Sequence, residues 1–248
     1  MADSDSMPNI ISFTPTFHST PYPFISPTRP ALSAAGKNVL ITGGGTGIGH
    51  AIASAFALAG AKSVSILGRR SDKLAAGAAT ISSQSPTTTV LYETADLLNP
   101  TQTITAFQTI VSKTGPIDIL VANAGGLAPP GPVAGYSADA FTQSITASTL
   151  SLFNAFQAFK SHAGPAPVLL HTSSCMANIA PTPGMGAYSV SKAAALKLAD
   201  FIGAENPDVR VVNVQPGWVA TELNGFQKEA TDSGESILKR GRGVHGVC

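Results

Sequence analysis

The chain has 248 residues, a length that fits one large domain burying roughly three-quarters of its unfolded surface. Only 12% of residues are charged and the net charge is +1, so no electrostatic footprint for nucleic acid or an anionic membrane surface is present. Two cysteines, Cys175 and Cys248, exclude a disulfide framework, and five scattered histidines offer no metal-ligand spacing.

Residues 1–36 form a Pro-rich arm with six prolines and many Ser and Thr, read as extended chain. Neither a secretory signal nor an Arg-rich transit peptide is expected there, since Arg29 is its one arginine. Phe13, Phe17, Tyr22 and Phe24 give the arm a means of docking on the domain. From Lys37 short β-branched runs alternate with stretches of helical period. The runs are Asn38–Thr42, Ser63–Leu67, Thr88–Tyr92, Ile117–Ala122, Val168–Thr172 and Val209–Val214. The helical stretches are Ile48–Leu58, Asp72–Ile81, Thr101–Ser112, Ala138–Lys160 and Tyr188–Ala204. Gly60 suits the end of the first helix and Pro100 the start of the third. This order predicts an α/β fold: a doubly wound, Rossmann-like parallel sheet of about six strands with helices on both faces. The longest mostly apolar run, Ala51–Ala61, is too short to span a bilayer. A soluble, cytoplasmic protein is expected.

Between the first strand and first helix lies Ile41-Thr42-Gly43-Gly44-Gly45-Thr46-Gly47-Ile48-Gly49. Glycines there let the backbone turn tightly and approach a pyrophosphate, while the helix start presents free N–H groups and a positive dipole end. Its position between an apolar strand and a helix makes dinucleotide binding the expected role. The second strand runs into Gly68-Arg69-Arg70, with no acid before Asp72. A carboxylate at that point would bond the ribose of NAD, whereas Arg69 and Arg70 match an extra phosphate, so NADP(H) is favoured. Asp96, after the third strand, is the expected partner of the adenine amino group.

Four motifs together resemble the short-chain dehydrogenase/reductase family in its single-domain form. They are the Thr42–Gly49 loop, Asn123-Ala124-Gly125, Tyr188-x-x-x-Lys192, and Pro216-Gly217 followed by Thr221. The likeness covers residues 37–223, and the Pro-rich arm is similar to that of fungal members. By resemblance, Asn123 steadies the fourth strand beside the adenosine half of the cofactor. Pro216, Gly217 and Thr221, with Val219 between them, hold the nicotinamide carboxamide. Tyr188 donates a proton to a carbonyl, and Ser174 hydrogen-bonds the substrate oxygen. Lys192, four residues on and so on the same helical face, contacts the ribose and lowers the tyrosine pKa. The implied activity is hydride transfer between NADP(H) and a ketone or secondary alcohol of a small molecule. The other reading kept open is a catalytically weak NADP(H)-binding protein serving as a sensor or subunit partner.

Several positions depart from the family pattern. Ser148 stands where an asparagine normally supports a water relay to the lysine. The interval from Ser174 to Tyr188 is one residue longer than is common, read as a longer loop through Pro181–Gly184. Ser173 adjoins Ser174, and Cys175 falls at the common spacing, but a thiol would hold a carbonyl oxygen poorly. Residues 224–248 form a short polar tail with a basic Lys239–Gly243 stretch, and no apolar run follows Val214 to supply a seventh strand. The resemblance implies pairing through the two long helices, where Phe141, Ile145, Leu152, Phe153 and Phe156 extend around more than one face. A homodimer is therefore expected, with the sixth strand at an open edge.

Overall fold

A computed structural model of the chain describes residues 21–127, 129–179, 181–217, 219 and 221–224. Six strands form one sheet: β1 (Asn38–Thr42), β2 (Ser63–Gly68), β3 (Thr89–Thr94), β4 (Ile117–Ala122), β5 (Ala163–Thr172) and β6 (Arg210–Val214). Their order is β3-β2-β1-β4-β5-β6 and every pairing is parallel. The helices between them are α1 (Gly47–Leu58), α2 (Ser71–Gln84), α3 (Pro100–Thr114), α4 (Ala138–His162) and α5 (Gly186–Glu205). The expected fold class is the one observed. Among the described residues β6 is one edge of the sheet and β3 the other. Residues 1–20 of the Pro-rich arm, and the polar tail beyond Asn224, lie outside the described residues.

The central strands divide their side chains between two cores. Val39, Ile41, Val64, Ile66 and Val121 point to the side covered by α1 and α2, among Ala53, Leu74 and Ile81. Leu40, Leu67, Leu120 and Leu169 point the other way, among Phe107, Ile110, Phe159, Ala195 and Ile202 of α3, α4 and α5. Such two-sided burial is what a continuous apolar strand requires. Each fully buried large side chain contributes about 1.5–3 kcal/mol.

Local chemistry sets the ends of the helices. Asn99 accepts from the Gln102 amide at 3.0 Å, with Pro100 in the first turn, to start α3. Gly60, at φ +81°, ends α1 with two bonds, Gly60 N to Ala57 O at 3.0 Å and Ala61 N to Phe56 O at 3.1 Å. This is the paired arrangement of a glycine-terminated helix.

One strand differs from expectation. β5 begins at Ala163, not Val168, and its register jumps between Ile117↔Ala163 and Ile119↔Val168. Pro165 and Pro167 lie within the jump. Lacking N–H groups they cannot enter the ladder, so the strand bulges there and resumes regular pairing at Val168. Part of the arm is docked: Ala34 donates to the Ala59 carbonyl at 2.8 Å and Ala35 bridges Ala61.

Beneath β1, at the end of the sheet away from the glycine loop, Asn38 is 6% exposed. Its Nδ2 donates to the carbonyls of Thr114 and Pro116 at 3.0 and 2.9 Å, and its Oδ1 accepts from Ser63 Oγ at 2.9 Å. Asn38→Ala strands those partners in a dry environment. Urea denaturation is expected to record a loss of about 2–4 kcal/mol.

Candidate active site

The strand order reverses between β1 and β4, and the loops after their C-terminal ends face the resulting crevice. Thr42, buried at the end of β1, ties the two strands together. Its Oγ1 accepts from the amides of Asn123 and Ala124, both at 3.0 Å. Asn123 returns the tie, its Nδ2 donating to the Thr42 carbonyl at 3.2 Å. The Ala124 carbonyl accepts from Ser151 Oγ of α4 at 3.3 Å, so Asn123-Ala124-Gly125 is fixed on both sides.

The glycine loop fits a pyrophosphate on two grounds. A Cβ on Gly49 would lie 2.3 Å from the Gly43 carbonyl oxygen, so only glycine lets the first turn of α1 settle this close to β1. Thr46, the N-cap of α1, makes no side-chain cap bond. Its hydroxyl accepts instead from Arg70 Nη2 at 3.2 Å, which leaves the amides of Gly47, Ile48 and Gly49 for an anion.

At the end of β2 both arginines are exposed. Arg70 is engaged: Nη1 lies 3.0 Å from Glu222 Oε2. Asp96 shapes the turn after β3, its Oδ1 accepting from the Leu98 amide at 3.1 Å, and it stays part-exposed. Pro216 and Gly217 follow β6, where Gly217 turns the chain at φ +76°. Thr221 then lies over the phosphate loop, its Cγ2 3.2 Å from where a Cβ on Gly47 would stand.

The second cluster stands on β5 and α5. Ser174 is the N-cap of a short turn, Cys175–Ala177, and its Oγ accepts from the Met176 amide at 3.2 Å. Its side chain stands beside that of Tyr188, close enough to draw the tyrosine pKa down. Ser173 is 2% exposed and its Oγ has no partner, so Ser174 is the serine that meets the tyrosine. The long loop is pinned by Gly131 N donating to Gly184 O at 2.9 Å. Tyr136 staples the facing loop through its hydroxyl to Pro129 O at 2.6 Å.

Lys192 lies on the same face of α5, its Nζ 5.9 Å from the Tyr188 ring centre. Its Nζ donates to the Thr172 carbonyl at 3.0 Å. Ser148, 4% exposed, has its Oγ 3.5 Å from Ser191 Oγ, and both it and Lys192 Nζ face Gly125. Ser148 thus lies in the same buried corner as Lys192, whose Nζ donates to a backbone carbonyl of β5.

The electrostatics correct one expectation. Burial raises the Tyr188 pKa above its ordinary value, the neighbouring Ser174 side chain draws it partly back, and nearby Cys175 raises it further; Lys192 is not among the causes. Burial instead lowers Lys192 to about 8 from 10.5. His171, beneath the lysine, is held down at about 4 by burial and stays neutral, its Nδ1 2.9 Å from Asn213 Oδ1. Glu222, Thr46 and Thr172 were not evident in the sequence. Thr46 at least sits inside a legible loop, whereas Glu222 reaches Arg70 across 152 residues with no local signal.

Residues 37–232 match the family model described as short chain dehydrogenase. A Short chain dehydrogenase/reductase of Claviceps purpurea (strain 20.1) is 30% identical over 216 residues, covering 86% of this chain and 72% of its own. An alcohol dehydrogenase from the archaeon Thermococcus sibiricus, solved with 5-hydroxy-NADP, superposes with a TM-score of 0.71 at 29% identity, over 76% of this chain and 79% of that one. A short chain dehydrogenase from Burkholderia cenocepacia J2315 in complex with NADP gives 0.71 at 29% identity, over 77% of each chain.

The depressed lysine carries a stability signature. With a folded pKa of about 8 against 10.5, the folded state holds fewer protons than the unfolded state between those values, so stability rises with pH there. The cost of burying the charge is full below pH 8 and is relieved by 10.5. Relative to Lys192→Met, the wild type should gain up to about 3 kcal/mol as pH is raised from 7 to 10.5. Paired thermal melts across that range check the sign.

Proposed function

The chain belongs to the short-chain dehydrogenase family, and on that premise we propose an NADP(H)-dependent oxidoreductase acting between a ketone and a secondary alcohol of a small molecule. Bound NADPH would supply the hydride. The observation that carries this reading is Tyr188 and Lys192 on one face of α5, the Lys192 Nζ 5.9 Å from the tyrosine ring centre, with Ser174 at the end of β5 beside them.

Gly43, Gly47, Ile48 and Gly49 would hold the diphosphate, and Arg69 and Arg70 the extra phosphate. Asp96, Asn123, Ala124 and Gly125 would line the adenosine half. Pro216, Gly217, Val219 and Thr221 would close over the remainder, and Tyr188 and Lys192 would bond the ribose. The two solved relatives that hold 5-hydroxy-NADP and NADP support the cofactor assignment.

In reduction, Ser174 and Tyr188 hold the substrate oxygen and Tyr188 gives it a proton. A tyrosine pKa pushed upward keeps that hydroxyl protonated near neutrality, the state a donor needs. The bond from Lys192 to Thr172 O favours a second reading, a weakly catalytic cofactor-binding protein acting as a sensor or subunit partner.

Assembly as a homodimer through α4 and α5 is part of the proposal. Phe153 at 40%, Val190 at 44% and Phe201 at 55% exposure supply apolar surface on these helices. Leu152, counted toward that surface from the sequence, is 2% exposed and belongs to the core.

Three experiments test the proposal. Nicotinamide fluorescence should record NADPH binding more tightly than NADH by about 1–3 kcal/mol, a difference that Arg69→Ala/Arg70→Ala erases. Against a panel of carbonyl compounds, Tyr188→Phe should abolish NADPH oxidation with little change in NADPH affinity; turnover that survives the change sinks the donor role. Light scattering on a sizing column should return the mass of two chains.

A further inference from the structure

Arg70 holds two partners at once. Its Nη1 reaches Glu222 Oε2 at 3.0 Å and its Nη2 reaches Thr46 Oγ1 at 3.2 Å. The second contact sets the guanidinium over the phosphate loop. The first comes from the segment after β6, which Thr221 seats against Gly47. We infer that Glu222 is a specificity-determining residue, an internal rival of the cofactor's 2′-phosphate for Arg70. It narrows the preference for NADPH over NADH. This rests on the NADP(H) reading above.

The argument is one of charge and geometry. A guanidinium offers a planar fork that takes one carboxylate or one phosphate on a given edge. With Glu222 in place the Arg70 edge is neutralised, which an uncharged ribose hydroxyl tolerates and a phosphate dianion does not. A phosphate must displace the carboxylate, which then remains close by as a like charge. Arg69, exposed and one residue away, still supplies a cation, while Asp72 in the first turn of α2 adds a second nearby carboxylate. Arg70 and Glu222 side chains are 54% and 30% exposed, so the rivalry is partly screened and weakens with salt.

Glu222→Gln keeps the shape and removes the charge. Fluorescence titration at low salt is expected to give NADPH affinity about three- to tenfold higher than wild type, with NADH changed less than about twofold. The gain should shrink at high salt and vanish in an Arg70→Ala background. Equal gains for both cofactors, no gain, or a gain that persists without Arg70 overturns the inference while a wild-type preference for NADPH leaves the cofactor reading standing. A preference for NADH that persists in Glu222→Gln overturns both.

Discussion

A single close approach governs the architecture around the crevice. The first turn of α1 lies so near β1 that a side chain on Gly49 would collide with the Gly43 carbonyl and with Asn123 Nδ2, the latter at 2.6 Å. That approach brings the helix start, the end of β1 and the end of β4 into one block, closed by the exchange of bonds between Thr42 and Asn123. Gly44 is similarly tight against Ile66 of β2, where a Cβ would fall 2.6 Å from Cγ2. The reversal of strand order supplies the crevice; the absence of side chains lets helix amides reach into it.

The opposite half of the site is organised by burial. Lys192 and Tyr188 sit on a helix packed tightly against α4, and each is displaced from its ordinary pKa chiefly by loss of water. Sequence reasoning assigned the tyrosine's tuning to the lysine's charge, four residues along. At 5.9 Å from the ring centre, the lysine spends its hydrogen bond on Thr172 instead. The same packing that places the pair thus costs stability, a common tension where function needs a charge in a dry place.

Strands buried on both faces were legible to the residue: β1 and β4 fall on the runs read from sequence, because each position needed an apolar or hydrogen-bonded side chain. The start of β5 was not: the run was read from Val168, after Pro165 and Pro167, while the backbone before those prolines is extended enough to pair at Ala163. Ser174 was the serine chosen over Ser173 in the sequence, and burial is consistent with that choice, since Ser173 is 2% exposed. The Arg70 environment was half legible. Two arginines after β2 announced an anion site, but the carboxylate bonded to one of them arrives from another part of the chain, and no periodicity records such a meeting.

The strand pairings also divide the chain by distance along it. Asn38↔Ser63 and Ser63↔Thr89 join residues about 25 apart, whereas Val39↔Ile119 spans 80. Loop closure is therefore cheap within the β1–β3 half and slow at the seam with β4. During synthesis from the N-terminus, the β1–β2–β3 unit with its phosphate loop can assemble while α5 is still to be translated. The Asn123–Thr42 tie then acts as the latch that joins the early β1–β3 half to the half translated later.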